Sequence, residues 1–382
     1  MNGTKLATLF SLLILLLCTS PPLYASEFRG LYVDAFHPGF KSHEEVTQMV
    51  NTAKEGNFNA LIVQVRKRAD AYYNSQIEPK ALDIAADYDP LADIIQQAHA
   101  DGIQVHAWVA VYEAKYENKW ASIPAGHVTD EHPDWLTASK DGSKSLNNGR
   151  VSLDPGVPAV QDHIASVIAD IATSYAVDGI HMEGAKYLGA DSGYNSISLS
   201  LFQAETNRSD IPRYDDAQWC EWRRSQITKL IRRVRGGLAT IRPGCVLSAS
   251  AMMPSPAIAS LVCLQDWDGW MNEGIVDFVV PMLYVKSSTT SKEVTDLLQY
   301  RHARHMYIGV GIFQLPKDVA LQQIMDASAA GAEGTALFSY YYLALDTKNV
   351  DPVRVSDLKA SVFAQPASPP GMPWREGEGG QQ

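Results

Sequence analysis

The sequence predicts an α/β fold, a (β/α)8 TIM barrel in a single domain, and three observations lead to this prediction. Short runs rich in β-branched and aromatic residues alternate with amphipathic helical runs along the whole chain, as in parallel βαβ units. The strand-like runs number eight, as in a closed barrel. No glycine-rich dinucleotide or phosphate loop follows the first of them, which removes the main reason to prefer a doubly wound open sheet. The predicted strands are residues 28–36, 60–66, 103–112, 179–185, 246–253, 277–284, 306–313 and 334–343.

A helical segment follows each predicted strand, and the first two carry clear start and stop signals. Ser42 and Glu45 have capping-box spacing at the start of the first helix, and Gly56 marks its end. The second helix begins after Asp89, where a proline follows the cap position, and stops at Gly102. These signals support the assignment of helices between the strands.

The two ends of the chain differ in composition from its centre. Lys5 precedes an apolar run, residues 6–17, that is too short to span a bilayer comfortably, and the small residues Ala25 and Ser26 offer a cleavage point. The predicted segments are a signal peptide, residues 1–26, the barrel domain, residues 27–364, and a disordered tail rich in proline and glycine, residues 365–382. We therefore expect export to the periplasm or the outside of the cell, with no stable membrane span in the mature chain.

Charge and cysteine usage narrow the class of partner. The formal net charge of −11 argues against a nucleic-acid partner, because such binding needs basic residues that neutralise phosphates. Cys18 follows Leu17, which is bulky where a lipobox needs a small residue, so we expect no lipid anchor. Cys220, Cys245 and Cys263 are too few and too scattered for a disulfide framework or a zinc cluster.

Polar residues on the first four predicted strands occupy alternate positions. Because side chains alternate between the two faces of a strand, these residues share one face, which we place on the interior of the barrel. These residues are Tyr32, Asp34, Gln64, Arg66, His106, Trp108, His181 and Glu183. A pure barrel core would have branched apolar residues at such positions. The longest connections, residues 113–157 and 186–215, follow the third and fourth strands on the side where barrel enzymes build their sites. We therefore predict that these side chains converge on one cleft at the C-terminal ends of the strands.

Acidic residues near the strand ends indicate that the cleft could cleave glycosides. This reaction needs one carboxylic acid to protonate the leaving oxygen and a second carboxylate to act as nucleophile or to activate water. Glu183 is the strongest single candidate. Asp34 and Asp70 are the candidates for the second carboxylate, with Asp266 and Glu113 as the next alternatives.

Aromatic and polar residues near the same strand ends could bind a sugar. Sugar rings present apolar C–H faces that stack on Trp and Tyr in concave sites. The candidate binding residues are Tyr32, Gln64, Arg66, His106, Trp108, His181, Lys186, Tyr187, Tyr284 and Tyr341. Any one of the aromatic residues could equally fill the core.

Other interpretations of the same residues stay open. His106 and His181 could be hydrogen-bonded core histidines, and Arg66 could pair internally with Asp34 or Glu183. A metal site could use these histidines and carboxylates, but no His-x-His pair or clustered ligand motif accompanies them. We therefore expect no metal and no cofactor. The sequence also lacks the nucleophile-elbow pattern of serine hydrolases.

Several short motifs lie at or near the predicted strands. They are Arg29-Gly-Leu-Tyr-Val-Asp34, Asn59-Ala-Leu-Ile-Val-Gln-Val-Arg66, Asp70-Ala-Tyr-Tyr73, Ala98-His99 leading to Val105-His-Ala-Trp108, Val177-Asp-Gly-Ile-His181, Gln265-Asp-Trp267 and Pro281-Met-Leu-Tyr284. Through these motifs, residues 28–343 resemble the glycosyl-hydrolase-like 10 family of exported bacterial barrels. The resemblance implies hydrolysis of cell-envelope or extracellular glycans, with a glycan or oligosaccharide as the partner.

The fourth-strand motif departs from the pattern of that family. After Ile180-His181 the family usually reads Leu-Asp-Tyr-x-Arg-Tyr, whereas this chain continues Met182-Glu-Gly-Ala-Lys186-Tyr187. An ammonium group cannot reproduce the bidentate geometry of a guanidinium, and the longer acid shifts its carboxylate by about a bond length. Two hypotheses follow: a glycoside hydrolase or transglycosidase, and a catalytically inactive carbohydrate-binding protein of the same fold.

Overall fold

Eight parallel strands close into a barrel surrounded by helices in one domain, which confirms the predicted fold class. The structure is a computed structural model that describes residues 25–117, 122–144, 149–252, 255–349 and 351–375. The barrel strands are β1 (Phe28–Val33), β2 (Ala60–Arg66), β3 (Gln104–Ala110), β4 (Gly179–Glu183), β5 (Val246–Ala251), β6 (Phe278–Pro281), β7 (His305–Met306 and Ile308–Val310) and β8 (Gly334–Phe338). The helices that follow them in turn are α1 (His43–Glu55), α2 (Pro90–Ala100), α3 (Pro158–Ser174), α4 (Ala217–Ile241), α5 (Trp267–Glu273), α6 (Ser291–Leu298), α7 (Lys317–Ala329) and α8 (Val355–Ala360).

The barrel closes through β7, whose two pieces pair on opposite sides. His305–Met306 pairs in parallel with β6, and Ile308–Val310 pairs in parallel with β8. Since β8 also pairs with β1, and β1 to β6 pair in chain order, the sheet continues around the barrel. The two pieces of one strand therefore join the two ends of the sheet.

Side chains alternate between the barrel interior and the helical layer. On β1, Phe28 and Tyr32 lie in an apolar cluster inside the barrel, whereas Val33 belongs to the larger cluster between strands and helices. The register aligns Trp108 of β3 with His181 of β4. Interior residues of neighbouring strands thus lie side by side in layers across the barrel.

The first helix begins where the cap signal predicts, but only half of the capping box forms. The Ser42 hydroxyl accepts the backbone N–H of Glu45 at 3.3 Å. The Glu45 carboxylate instead accepts the backbone N–H groups of Gly39 and Lys41, each at 2.8 Å. The glutamate therefore fixes the loop between β1 and α1 rather than the helix terminus.

The last three strands, like the first, end earlier than the sequence predicts. β6, β7 and β8 stop at Pro281, Val310 and Phe338, and the chain then turns away from the sheet. Two of the following segments, Ile312–Gln314 and Tyr341–Leu345, are short helical turns. Apolar and aromatic residues continue through both turns, so the sequence pattern alone does not mark the strand ends. The predicted end of the fifth strand at residue 253 lies outside the described residues.

Arg66, expected in the cleft, is buried in the barrel wall. The register between β2 and β3 shifts between Gln64 and Arg66, and this bulge breaks the alternation of side chains. The Arg66 Nε and Nη2 atoms each donate to the Glu78 carboxylate at 2.7 Å, and Nη1 donates to the carbonyl oxygens of Ala110 and Val111. The internal pair forms, but its partner is Glu78 rather than Asp34 or Glu183.

The ion pair between Arg66 and Glu78 is almost completely buried and includes a third group. The side chains of Arg66 and Glu78 are 0% and 1% exposed, and His163 of α3 contacts the same carboxylate at 2.8 Å. Burial alone would raise the pKa of Glu78, but the charge of Arg66 and the hydrogen bonds of His163 and Arg66 outweigh it and lower the pKa to about 2. The cluster ties the loop after β2 to α3.

Two insertions follow the third and fourth strands, as the long connections predict. After β3, the segments Glu113–Tyr116 and Arg150–Ser152 form a short antiparallel hairpin. After β4, an additional helix, Ser196–Thr206, precedes α4. The hairpin and the segment that follows β4 both reach the C-terminal end of the barrel.

The tail differs from the predicted disorder up to residue 375. Ala367–Ser368 pairs in parallel with Ala25–Ser26, and Pro373–Arg375 forms a helical turn at the N-terminal end of the barrel. The Trp374 indole donates to the Asp277 carboxylate at 2.9 Å, and Arg375 donates to it at 2.7 Å. The proline and glycine content of this segment predicted disorder, although specific polar contacts hold the segment in place. Residues 376–382 of the tail and residues 1–24 of the predicted signal peptide lie outside the described residues.

In the part of the chain that the structure describes, no helix combines the length and the apolar character needed to cross a bilayer.

We predict that Glu78→Gln lowers the free energy of unfolding at pH 7 by ~3–5 kcal/mol, because it leaves the Arg66 charge buried without its partner. The folded-state pKa of Glu78 lies below its unfolded value, so this contribution is present above the unfolded pKa and is lost as the pH falls through the folded pKa. Denaturant titrations at pH 7 and pH 3 should therefore show a smaller difference from wild type at pH 3.

The matched control is Asp296→Asn, which removes an exposed ion pair with Lys292 on α6. Exposed pairs contribute little to stability, so this variant should unfold like wild type. Equal destabilisation by the two substitutions would contradict the structural role assigned to Glu78.

Candidate functional site

An open cleft lies at the C-terminal ends of the barrel strands. It consists of two adjoining cavities of about 470 Å³ and about 370 Å³. The residues that line both cavities are Glu113, Arg150, Glu183, Met282 and Tyr284. This shared lining makes the two cavities one continuous site.

Part of the set expected from the sequence lies in this cleft. The expected residues that line it are Tyr32, Asp34, Gln64, Trp108, Glu183, Lys186 and Tyr284. They come from β1, β2, β3 and β4 and from the segments that follow β1, β4 and β6. Side chains far apart in the sequence meet here because the C-terminal ends of parallel strands share one end of the barrel.

Glu183 ends β4 and is half-buried between the two cavities. Its carbonyl oxygen accepts the backbone N–H of Val111 at 2.9 Å, which fixes the strand end against the segment after β3. Burial and the negative charge of Glu113 raise the pKa of Glu183 to about 6, while Lys186 and Arg150 oppose the rise. A carboxyl group in this range can hold a proton near neutral pH and deliver it to a bound molecule.

Glu113 and Arg150 lie on the two strands of the hairpin after β3, where Glu113 pairs with Ser152 and Arg150 pairs with Tyr116. The Arg150 Nε atom is 3.7 Å from the Glu113 Oε1 atom. The Arg150 side chain is 42% exposed and the Glu113 side chain is 19% exposed, so both can reach a ligand in the cleft. Together with Lys186, they place one further carboxylate and two cations around Glu183.

Asp34 follows β1 on another wall of the cleft and is held by three donors. Its Oδ1 atom accepts the backbone N–H of Phe36 at 3.1 Å and is 2.7 Å from the Nδ1 atom of His37. Its Oδ2 atom accepts the Ser339 hydroxyl at 2.9 Å. Both carboxylate oxygens are thus engaged by the protein.

Beneath the cleft, a hydrogen-bonded chain crosses the barrel interior. The Tyr32 hydroxyl is 3.0 Å from the Nε2 atom of His181, whose Nδ1 atom is 2.9 Å from the Ser248 hydroxyl. Burial, together with the neighbouring His106, lowers the pKa of His181 to about 3, so the ring is neutral at pH 7. His181 therefore orients Tyr32 from below and does not line the cleft.

His106 lies deeper in the barrel and also does not line the cleft. Its ring contacts those of Phe28 and Phe278 edge-on, with centroids 5.8 Å away in each case. Burial lowers the pKa of His106 to about 4, against the charge of Asp178. Both histidines match the alternative of polar core residues rather than ligand-binding groups.

Four polar atoms in the lining have no hydrogen-bond partner in the described structure. They are the Nε1 atom of Trp108, the hydroxyls of Tyr112 and Ser250, and the Oε1 atom of Glu113. Unpaired buried polar atoms are costly unless a ligand or water satisfies them. The lining therefore offers unused hydrogen-bonding capacity to a polar ligand.

Four other candidate residues are not among those that line the cleft. Asp70 is buried, and its carboxylate accepts the backbone N–H of Arg68 at 2.9 Å. Tyr187 is in the apolar core, with the Arg223 guanidinium 5.7 Å from its ring. Tyr341 stacks on His37 with ring centroids 4.0 Å apart. The fourth, Asp266, caps α5 by accepting a backbone N–H. These local roles account for their side chains without contact to a ligand.

Several residues in the lining were not expected from the sequence. They are Phe36, His37, Tyr116, Arg150, Ser152, Gly184, Leu188, Ser250, Met252, Met282, Val285, Phe338 and Tyr342. Strand parity could have found Ser250 on β5 and Phe338 on β8. Arg150 lies in a long connection, whose path no sequence periodicity determines. The spacing of Asp34 and His37 in one loop was the available signal for that pair.

No metal-binding group is found in the part of the chain that the structure describes. No three or more His, Cys, Asp or Glu side chains are placed there to hold a metal ion.

Comparisons with known proteins show that this chain is similar to glycosyl hydrolases. The chain is 21% identical over 369 residues to the glycosyl hydrolase YngK of Bacillus subtilis (strain 168), covering 87% of this chain and 69% of that protein. It is 26% identical over 293 residues to the glycosyl hydrolase DigH of Escherichia coli (strain K12), covering 67% of this chain and 63% of that protein. The chain thus spans less than two thirds of the length of DigH.

Solved structures share the fold. The PgaB (BpsB) glycoside hydrolase domain from Bordetella bronchiseptica has a TM-score of 0.62 and 14% identity, covering 82% of this chain and 94% of that one. The catalytic domain of β-amylase from Paenibacillus polymyxa has a TM-score of 0.62 and 12% identity, covering 91% and 100%. The family described as Glycosyl hydrolase-like 10 matches residues 27–324, most of the barrel. On this match, the chain belongs to the glycosyl hydrolase-like 10 family.

Proposed function

We propose that the protein is a glycoside hydrolase or transglycosidase in which Glu183 donates a proton to the leaving glycosidic oxygen. The observation that carries this proposal is the raised pKa of Glu183, about 6, in an open cleft at the mouth of the barrel. Departure of a sugar alkoxide is difficult without proton donation, and a carboxyl group with a pKa near the working pH supplies it efficiently.

The lining of the cleft supports a sugar as the ligand. Trp108 and Tyr284 offer aromatic surface, while unpaired polar atoms of Trp108, Tyr112 and Ser250 can bind hydroxyl or carbonyl groups. Sugars need both kinds of contact, because their rings have apolar C–H faces and a polar periphery. We place the substrate among cell-envelope or extracellular glycans, in line with the proposed export of the mature chain.

The second acidic role has two candidates in the cleft. Asp34 and Glu113 both line the second cavity with Glu183, whereas Asp70 is buried behind the wall. Glu113 is close enough to Glu183 for its charge to raise the pKa of that group. Proximity of this kind suits a carboxylate that keeps Glu183 protonated, as like charges disfavour a second ionisation.

A carbohydrate-binding protein without activity is the alternative function. The observation that favours it is Lys186, which lies beside Glu183 where relatives are expected to have an arginine. A lysine cannot form the bidentate contacts of a guanidinium, so a bound sugar would be positioned less rigidly. Turnover distinguishes the two functions.

We predict that Glu183→Gln lowers turnover by at least ~10²-fold and changes glycan affinity little, because glutamine keeps the shape of the side chain but has no acidic proton. Purified protein would be incubated with a panel of envelope glycans and new reducing ends measured, with calorimetry for binding.

Glu221→Gln is the matched control, since Glu221 is an exposed residue of α4 paired with Arg224. It should retain wild-type turnover. A wild type that binds a glycan and cleaves none, with equal binding by Glu183→Gln, would instead establish the carbohydrate-binding function.

We also predict opposite shifts of the Glu183 titration in two cleft variants. Glu113→Gln removes a negative charge that raises the pKa of Glu183, so the pKa should fall below about 6. Lys186→Met removes a positive charge that lowers it, so the pKa should rise. Carbon-13 NMR of the labelled glutamate carboxyl measures both shifts without requiring activity. Shifts of the same sign in the two variants would contradict this electrostatic arrangement.

In wild type, kcat/KM should decline above about pH 6, because Glu183 then loses its proton.

A further inference from the structure

The carboxylate of Asp34 is covered by its own hydrogen-bond donors. Asp34 is 4% exposed. The Phe36 backbone, the His37 ring and the Ser339 hydroxyl occupy its two oxygens. A nucleophilic carboxylate must bring an oxygen into contact with the anomeric carbon. Asp34 is therefore better placed to act on a neighbouring side chain than on the substrate itself.

His37 is the side chain through which Asp34 reaches the cleft. The His37 Nδ1 atom lies 2.7 Å from the Asp34 Oδ1 atom, and the His37 side chain is 32% exposed while that of Asp34 is 3% exposed. Donation of the Nδ1 proton to a carboxylate leaves the lone pair of neutral imidazole on Nε2, at the other side of the ring. In the described part of the chain, Nε2 has no hydrogen-bond partner, and His37 is part of the cleft lining.

Two aromatic rings and the loop backbone hold the imidazole in this orientation. Tyr341 stacks on His37 with centroids 4.0 Å apart and planes 13° from parallel, and Tyr342 contacts it edge-on at 5.6 Å. The loop that carries His37 is fixed by the Glu45 carboxylate, which accepts the N–H groups of Gly39 and Lys41. Such support is typical of a side chain whose position matters for function.

We propose that His37 accepts the proton of the attacking water and that Asp34 is a positioning residue that fixes and stabilises its ring. This inference rests on the proposed glycoside hydrolysis and supplies the second half of its mechanism. It assigns to Glu113 the role of keeping Glu183 protonated.

The positions of the groups around the barrel support this division of roles. In an inverting reaction, the acid and the base act on opposite faces of the sugar ring. Glu183 ends β4, and Glu113 follows the adjacent β3. His37 follows β1, which is separated from β4 by β2 and β3. A sugar between these walls would have Glu183 on one side and His37 on the other.

Hydrolysis of the glycosidic bond by this route needs water as the only reactant besides the sugar. The water oxygen forms a bond to the anomeric carbon, and the bond from that carbon to the glycosidic oxygen breaks. The leaving oxygen takes the proton of Glu183, and His37 Nε2 takes a proton from the water. The imidazolium formed is stabilised by Asp34, as in other pairs of histidine and carboxylate. The product has inverted anomeric configuration.

The test compares wild type with His37→Ala, His37→Gln and Asp34→Asn, using an oligosaccharide that wild type cleaves. Each variant should lose at least ~10²-fold in kcat, since each removes the base or its orientation. Azide needs no base, so sodium azide should restore turnover in His37→Ala and yield a glycosyl azide of inverted configuration. Proton NMR of the first product reports the anomer, and thermal unfolding by circular dichroism shows that each variant is folded.

The matched control is His43→Gln. His43 is another histidine whose Nδ1 atom contacts an aspartate, Asp93, at 2.8 Å, but it is 67% exposed on α1 and outside the cleft lining. Its substitution should leave kcat unchanged. Wild-type activity in His37→Gln, failure of azide to restore turnover, or a product of retained configuration would overturn the role of His37 while leaving glycoside hydrolysis intact. Absence of any turnover by wild type would overturn the hydrolase function itself.

Discussion

Closure of a parallel sheet on itself is the constraint on which the rest of the structure depends. Once β7 joins β6 to β8, every second side chain of each strand must fit into one shared interior. Aromatic rings such as Phe28 and Tyr307, stacked at 4.1 Å, fill its lower part. Some polar groups in this space pair with one another, as Tyr32, His181 and Ser248 do, whereas the Tyr307 hydroxyl has no partner in the described structure. Polar atoms that remain unpaired at the C-terminal end of the barrel are available to a ligand.

Neighbouring charges and donors set the state of each acidic group. Glu78 is buried, but the charge of Arg66 and its hydrogen bonds lower its pKa, whereas burial and then the neighbouring Glu113 carboxylate raise the pKa of Glu183. Asp34 has both oxygens occupied by donors. The same chemical group thus serves as a structural anion, a candidate proton donor and a candidate orienting group, and its surroundings decide which.

The fold could be predicted from the sequence because periodicity and cap residues report local structure directly. The interior parity of Tyr32, Asp34, Gln64, Trp108 and Glu183 was also readable, since alternation along a strand is a local property. The depth of a side chain along the barrel axis could not be predicted from the sequence. His106 and His181 were therefore predicted at the mouth of the barrel, although they lie in the core. A bulge, which has no clear sequence signal here, turned Arg66 into the wall.

Site residues contributed by long loops could not be predicted from the sequence, for a different reason. Arg150 and Glu113 meet because two segments of one connection pair as a hairpin. This pairing depends on tertiary contacts rather than on spacing. Likewise, the polar contacts of Trp374 and Arg375 with Asp277 are invisible in a segment whose composition indicates disorder.

The contacts of Asp277 also bear on the order in which the protein can be completed. Asp277 precedes β6 and is fully buried in the folded chain, yet two of its partners, Trp374 and Arg375, are about a hundred residues further on. A ribosome releases the chain from its N-terminal end. Arg235, which precedes Asp277 in the chain, pairs with the same carboxylate at 2.9 Å, whereas the contacts of Trp374 and Arg375 can form only after these later residues have been synthesised.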